Sequence, residues 1–554
     1  MEKNITPTKQ KPSFFKTFIY VLFVFIILQL LFGNKKEENK SISIPKTKQK
    51  VIERNLIPFE TESLKGNFNS IGLRIDDVIL KKYKQTINPN SQNIELLKYI
   101  SDETKSDEKS SYIEFGFLSN EPDENLIPTE ETKWKVLSQT DNGISLSWTN
   151  KNGVNFIRDL SFDENYMLTI KDKITNNSKE NFEIFPYARV VQSHNMYEAP
   201  KSSHIGFVGF LDGALEEHTY NKISKEKTAE FSSKNGWLGF GSDYFMTILI
   251  PNQNNSFTAR VLELQESEIP TPQSKTNYKQ FQADYVRDII TIEHDKSEEI
   301  TSQIYIGAKV SSIISKYEEK FSIPKFDLVI DYGYFYILSK PFTIILKWLD
   351  KLTGNFGLAI ILFTIMIRAI LFPIAQKSFK SMEKMKKMQP EMKRIQTLYA
   401  NNKQQMNIEL AMLYKKSGVN PLSGCLPLLL QIPVFLALYK SLVISIEMRQ
   451  APFFGWIQDL SAPDPTTIFN LFGLLPFEPW VWLPHIGVLP VIMGITMYIQ
   501  QTLQPAMASD PTQAKIMKFL PLIFTVMFAG LPSGLILYWT VNNILSIIQQ
   551  KYIR

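Results

Sequence analysis

The sequence predicts an α-helical polytopic membrane protein of six spans, five of them in one helical core, with a large extracytoplasmic antiparallel β-sandwich inserted after the first span. Three observations predict it. Long stretches without a charged residue recur along the chain; about 265 residues between them alternate apolar and polar positions; and Lys and Arg concentrate in one short inter-span loop. A mean hydropathy of -0.12 hides this, because the apolar residues are segregated rather than spread. In the 554 residues, 61 Lys+Arg oppose 55 Asp+Glu, which excludes a strongly cationic nucleic-acid binder. The 44% hydrophobic and 12% aromatic content excludes a disordered chain, and the single Cys, Cys425, excludes a disulfide framework or a multi-Cys metal site.

Residues 1–34 open with Lys3, Lys9, Lys11 and Lys16, followed by an uncharged run over 17–34. A cleaved secretory signal has the same layout. The long run and the missing small-x-small site after Leu31 favour an uncleaved anchor span. Residues 35–55 are rich in Lys, Glu, Ser and Asn and read as a linker. From 56 to 321 the period is two: WKVLSQT, ISLSWTN and VNFIRDLSF form a meander joined at Asp141-Asn142-Gly143 and Lys151-Asn152-Gly153, and MLTIKDKI, FEIFPYARVV, YFMTILIP, FTARVLEL, DIITIEH and QIYIGAKV are further strands. Over 336–352, Lys340, Thr343, Lys347 and Lys351 share one helical face, while Ile344, Ile345, Trp348 and Leu349 face away; this pattern suits an amphipathic helix at the membrane interface, or one packed on the soluble domain.

The core, 353–554, carries its uncharged stretches at 417–439, 479–509 and 519–550, and only Arg368 is charged in 352–376. Leu531-Pro532-Ser533-Gly534 interrupts the last stretch, which is either one kinked span or two spans in a hairpin. Ten basic residues against three Glu place 377–416 on the cytoplasmic side. The acidic segment 447–485, with Trp480 and Trp482 as interfacial anchors, lies outside, and the basic tail Lys551–Arg554 returns inside. That return requires the hairpin, so both termini are cytoplasmic and, by parity of the spans, the β-domain lies outside. No role emerges for the long loop 463–483.

Arg368 carries the most functional information. A charge at a helix centre costs about 2.5–3.5 kcal/mol even on lenient insertion scales, so it faces an interior or a wet cavity unless it snorkels to the headgroups. Thr364 lies one turn earlier on the same face. Gln431, Gln500, Gln501, Trp539, Asn542 and Asn543 add polar groups to other spans, either as helix–helix hydrogen bonds or as the lining of a groove open to the cytosol. In the cytoplasmic hairpin 376–418, Met382, Met385, Met388 and Met392 recur at helical spacing; they fill the hairpin's own seam or form an adaptable contact surface for apolar segments or a ribosome. Enzyme signatures are absent: the five His show no HExxH spacing, and there is no P-loop or GxSxG.

Val419–Tyr439, Arg449-Gln-Ala-Pro452, Asp459–Pro465, Asp510–Met517 and Leu531–Trp539 closely resemble segments of the YidC/Oxa/Alb family of membrane protein insertases. The anchor and β-domain match its Gram-negative layout, in the bacterial inner membrane. The resemblance implies a hydrophilic groove centred on Arg368, with Thr364, Gln431, Gln501 and Trp539 as groove residues. It also implies an apolar slide of Ile432 and Pro433 facing Met527 and Leu531. Implied partners are nascent membrane proteins, the Sec translocon (SecYEG, SecDF), a ribosome or signal recognition particle receptor at the cytoplasmic loops, and the lipid bilayer; no cofactor is implied. A secondary transporter and a membrane-anchored periplasmic carbohydrate-active protein remain the competing readings.

Overall fold

The computed structural model describes residues 53–72, 74–101, 108–120, 125–197, 204–264, 277–418, 426–477, 485–503 and 511–553. The expected anchor 1–34, most of the linker, Cys425, Trp480 and Trp482 lie outside these residues. The first part of the described chain folds into three antiparallel sheets. One has four strands, in the order β1 (Leu56–Glu60), β2 (Leu64–Asn69), β4 (Val78–Lys84), β5 (Asn93–Leu97). The largest has nine: β13 (Ala214–Thr219), β12 (Gly206–Leu211), β15 (Gly236–Gly241), β16 (Phe245–Ile250), β20 (Ser297–Ala308), β10 (Met167–Asn176), β9 (Val154–Phe162), β8 (Gly143–Thr149), β7 (Lys135–Thr140). The third runs β14 (Thr228–Ser233), β17 (Phe257–Glu263), β18 (Tyr278–Arg287), β11 (Phe182–Asn195), β6 (Tyr112–Leu118), β3 (Arg74–Ile75), with β19 (Ile290–Ile292) on β11.

The period-two pattern explains the layering. In β9 the residues Val154, Phe156, Arg158, Leu160 and Phe162 are buried and those between them are not. Both turns form where the sequence places them. Thr140 pairs with Gly143 across Asp141-Asn142, and Gly153 adopts a φ of +90°, which favours glycine. The two large sheets meet in one apolar core, with Phe117 of β6 and Phe156 of β9 at 5.5 Å between ring centroids. A cavity of about 210 Å³ beside this core is lined by Glu95, Gln192, His194 and Tyr220, among others. His194 stacks on Tyr220 at 4.0 Å, and burial pushes its imidazole down to about 4. A histidine held neutral in the fold and charged when unfolded contributes stability above the unfolded pKa of about 6.5, and that contribution is lost as pH falls toward 4. Thermal stability in this window is therefore expected to weaken with acid, and His194→Gln to make the slope shallower; an unchanged slope would show that His194 does not contribute.

Short helices α1 (Tyr220–Glu226) and α2 (Ser311–Lys320) decorate the sheets. Then α3 (Tyr336–Thr353) leads into the helical part. Its polar face makes protein contacts: Thr343 is buried and bonds Ser339 O, Lys340 pairs with Asp327 at 2.6 Å, and Lys347 pairs with Glu447 at 2.7 Å. Leu349, expected opposite that face, is buried with Phe342 and Leu346, while Ile337, Ile344, Trp348 and Leu352 form an exposed apolar strip. Lys340 and Lys347 thus meet protein because acidic partners lie against them, while Lys351 stays exposed. Ile444 and Ile446 enter the β-domain core, and Lys440 pairs with Asp331 at 2.6 Å, so the sheets and helices share a continuous junction.

Helix α4 (Phe356–Leu398) runs 43 residues through Pro373 and Pro390, uniting the second expected span with the first arm of the hairpin. Asn402 caps α5 (Lys403–Lys416), the second arm. Then come α6 (Leu426–Val443), α7 (Val488–Leu503), α8 (Pro511–Phe528) and α9 (Ser533–Ile553). Among the described residues, Phe356–Met385 is long and apolar enough to cross a membrane by length and composition, and Gln431–Val443, Val488–Leu503 and Lys518–Phe528 are shorter apolar helices. The Leu531–Gly534 break separates α8 from α9. It is pinned from outside: Ser533 N donates to Ala462 O at 2.8 Å and Gly534 N to Leu460 O at 2.9 Å. The loop beginning at Pro463 also has a structural task, since buried Asp464 accepts Leu489 N at 2.8 Å and Trp456 Nε1 at 3.2 Å, satisfying an otherwise orphaned donor at the start of α7.

Candidate functional site

The site is built where α4 crosses α9. Asn355 caps α4 by accepting Leu358 N, and the apolar run that follows carries Arg368 about three turns into the helix. The guanidinium is half-buried and turned onto α9. Its Nε donates to Asn542 Oδ1 at 2.7 Å, and its Nη2 donates to Asn542 O at 3.2 Å and to Ser546 Oγ at 2.5 Å. Ser546 in turn donates to Asn542 O at 2.8 Å. All these partners are neutral. Among the described residues no carboxylate lies within ion-pair distance of Arg368, so its charge is hydrogen-bonded but not neutralised.

The other expected groove residues separate into different environments. Thr364 is 1% exposed and its hydroxyl donates to Ile360 O at 2.7 Å, so this back-bond, not a cavity, satisfies it. Gln431 is half-buried and donates to Tyr538 Oη at 2.5 Å, tying α6 to α9. Trp539 packs edge-on against Phe435 at 4.8 Å and Phe528 at 5.2 Å, in an aromatic cluster joining α6, α8 and α9. Gln501 lies half-buried on the last turn of α7, a different helix from the Arg368 partners.

The apolar surface beside this cluster is open. Ile432 is 47% and Met527 55% exposed, and exposed Leu436, Leu522, Ile523 and Val526 extend it along α6 and α8; Pro433 and Leu531 are half-buried. Exposed aliphatic side chains in such a row need an apolar neighbour outside the protein.

The hairpin methionines require a correction. Met385 and Met392 are buried together with Leu410, and Met388, Ile395, Met406, Leu413 and Tyr414 pack against them. The stripes of the two arms face each other, which makes these methionines the seam of the hairpin and not its contact surface. Among the described residues, the exposed large apolar side chains there are Leu398, Ile408 and Met412. The side chain of Met382 lies outside the described residues. Among the described residues there is no group of three or more His, Cys, Asp or Glu that could hold a metal ion.

The family model described as "60Kd inner membrane protein" matches residues 348–554, and the model described as "YidC periplasmic domain" matches residues 56–345. A curated relative from Rickettsia rickettsii (strain Iowa), named "Membrane protein insertase YidC", is 41% identical over 94% of this chain and 91% of its own. The chain belongs to the YidC family. A Rickettsia typhi relative of the same name is 42% identical over 90% of this chain and 87% of its own. Among solved structures, an active YidC insertase with its first transmembrane domain resolved is 18% identical, covers 97% of this chain and 99% of its own, and has a TM-score of 0.35.

In this YidC-family chain the residue that sequence reasoning passed over is Ser546. Its signal was present: Asn542 and Ser546 stand four apart, on one face of the helix. Tyr538, the partner of Gln431, was equally silent, because a buried tyrosine hydroxyl reveals its need for a partner only once the neighbouring helix is placed.

Proposed function

We propose that the chain inserts newly made proteins into the bacterial inner membrane, with an anchor at 17–34, a periplasmic β-domain, and α4, α6, α7, α8 and α9 as the five core spans. Both termini are then cytoplasmic. The basic hairpin of α4 and α5 supports this orientation, as does the break between α8 and α9. The observation that carries the reading is Arg368: a cation deep in an apolar stretch of helix, held among the described residues only by neutral groups of the last helix. Such a cation offsets part of the cost of drawing an acidic segment into the bilayer.

An inserting polypeptide lays its apolar helix along Ile432, Pro433, Met527 and Leu531 while its short extracytoplasmic tail passes beside Arg368, Gln431 and Trp539. Release of the apolar helix into lipid supplies the driving force, at about 25 cal/mol per Å². The Sec translocon (SecYEG, SecDF) and a ribosome or signal recognition particle receptor are the partners that fit the periplasmic and cytoplasmic faces. The test is site-specific photocrosslinking from Ile432 and Met527 to a stalled nascent membrane protein. Adducts with its apolar segment are expected from both positions. Adducts with lipid alone would remove the slide.

A further inference from the structure

The polar groups that hold Arg368 continue along α9. Asn542, Ser546 and Gln549 stand at i, i+4 and i+7, one above another on the face turned to α4, and all three are buried. Gln549 lies about 10 Å beyond Asn542 along the axis, toward the end of the helix that carries the basic tail. Its Nε2 is buried and has no hydrogen-bond partner among the described residues. A buried amide donor left unmade is costly, so such an atom calls for an explanation. Arg368 has a matching vacancy: its Nη1 makes no hydrogen bond among the described residues, while Nε and Nη2 are engaged.

We infer that Asn542, Ser546 and Gln549 form a ladder that passes a carboxylate of the inserting segment from the cytoplasmic end of α9 to Arg368. This rests on the insertase reading. Gln549 Nε2 donates to the carboxylate first. The carboxylate then takes the place of Ser546 on Nη2 and uses Nη1 as its second donor, giving the two-pronged geometry that guanidinium and carboxylate favour. Ser546 can yield because its own hydroxyl remains satisfied by Asn542 O. Asn542 stays on Nε throughout and is the positioning residue that fixes the plane of the guanidinium. The acidic character of the ligand follows from the charge: neutral partners leave Arg368 uncompensated, and a carboxylate compensates it.

The experiment compares two substrates that differ only in an acidic or an amidated (Asp→Asn, Glu→Gln) extracytoplasmic tail, and reads the ratio of their insertion by the full chain in membranes. Gln549→Glu keeps the shape of the side chain but places an internal carboxylate on the ladder, where it repels the tail and competes for Arg368. The ratio is expected to fall at least about fivefold, and Gln549→Leu, which removes only the donor, to lower it about threefold. A merely structural role for Gln549 lowers both substrates together and leaves the ratio alone. A ratio within twofold of the unaltered chain for both variants overturns the ladder. Arg368→Ala, run alongside, separates the two failures: if it lowers the ratio while the Gln549 variants do not, only the ladder is wrong; if it too leaves the ratio unchanged, the groove reading falls with it.

Discussion

Replacing Arg368 with alanine is expected to reduce insertion of substrates with acidic extracytoplasmic tails by tenfold or more, at unchanged amounts of the protein in the membrane. The magnitude follows from the interaction removed. Hydrogen bonds to a charged group contribute about 1.5–3 kcal/mol, and each 1.4 kcal/mol is about a factor of ten. The fold should survive the change. Arg368 is tied to α9 by three hydrogen bonds, but α4 and α9 also bury Ile360, Phe363, Leu535 and Tyr538 in the same core, and removing an uncompensated cation carries no ion-pair loss. Arg368→Lys retains the charge and should retain most of the insertion, losing only the fork that engages Asn542 and Ser546 together. Quantitative insertion assays with matched acidic and neutral tails measure this, and wild-type insertion of acidic-tailed substrates by the alanine variant would refute the role.

Asp172→Ala should have the largest effect on stability. Arg158 of β9 is 2% exposed, donates through Nε and Nη2 to the two oxygens of Asp172 on β10, and through Nη1 to Phe115 O at 3.1 Å. The rings of Phe115, Phe117 and Trp134 surround it, so no water can replace the carboxylate. Removing one partner of a buried pair strands the other charge, at about 3–5 kcal/mol. For a domain of this size that corresponds to a fall of about 10 °C in the unfolding temperature of the β-domain. The double replacement Arg158→Met/Asp172→Leu removes both charges and should recover most of the loss. A thermal unfolding series on the purified chain distinguishes the cases: if Asp172→Ala shifts the transition by less than 2–3 °C, in the range of an ordinary surface change, the pair is not holding the sheets as described.

Arg368 could be singled out from the sequence because its anomaly is local: a single charge in the 25 residues 352–376 needs no partner to be noticed. The strands were legible for the same reason. Side-chain direction along a strand depends only on parity, so β8 and β9 and the turns between them follow from the residues themselves. The break at Leu531–Gly534 was legible as chemistry, while its outcome as two helices depends on the hydrogen bonds that Ser533 and Gly534 donate to Ala462 and Leu460, residues about seventy positions away.

Where the same pattern allows two partners, the sequence stayed silent. The methionine stripe of α4 reads identically as a seam or as an exposed surface, and only the position of Leu410 on α5 makes it a seam. The lysine face of α3 reads equally as belonging to a helix at the membrane interface or to one packed on the soluble domain until Asp327 and Glu447 are placed against it. Thr364 and Arg368 share a helical face, yet the threonine bonds back to its own helix while the arginine reaches Asn542 and Ser546, more than 170 residues ahead. By itself, then, the sequence determined the periodicity of each segment, the side of the membrane that its charges favour, and the one cation out of place. The tertiary structure alone decided which face each helix buries and what that cation holds. Periodicity is a property of neighbours three or four residues apart, whereas burial and hydrogen-bond partnership depend on which distant segment arrives, and no local pattern encodes that arrival.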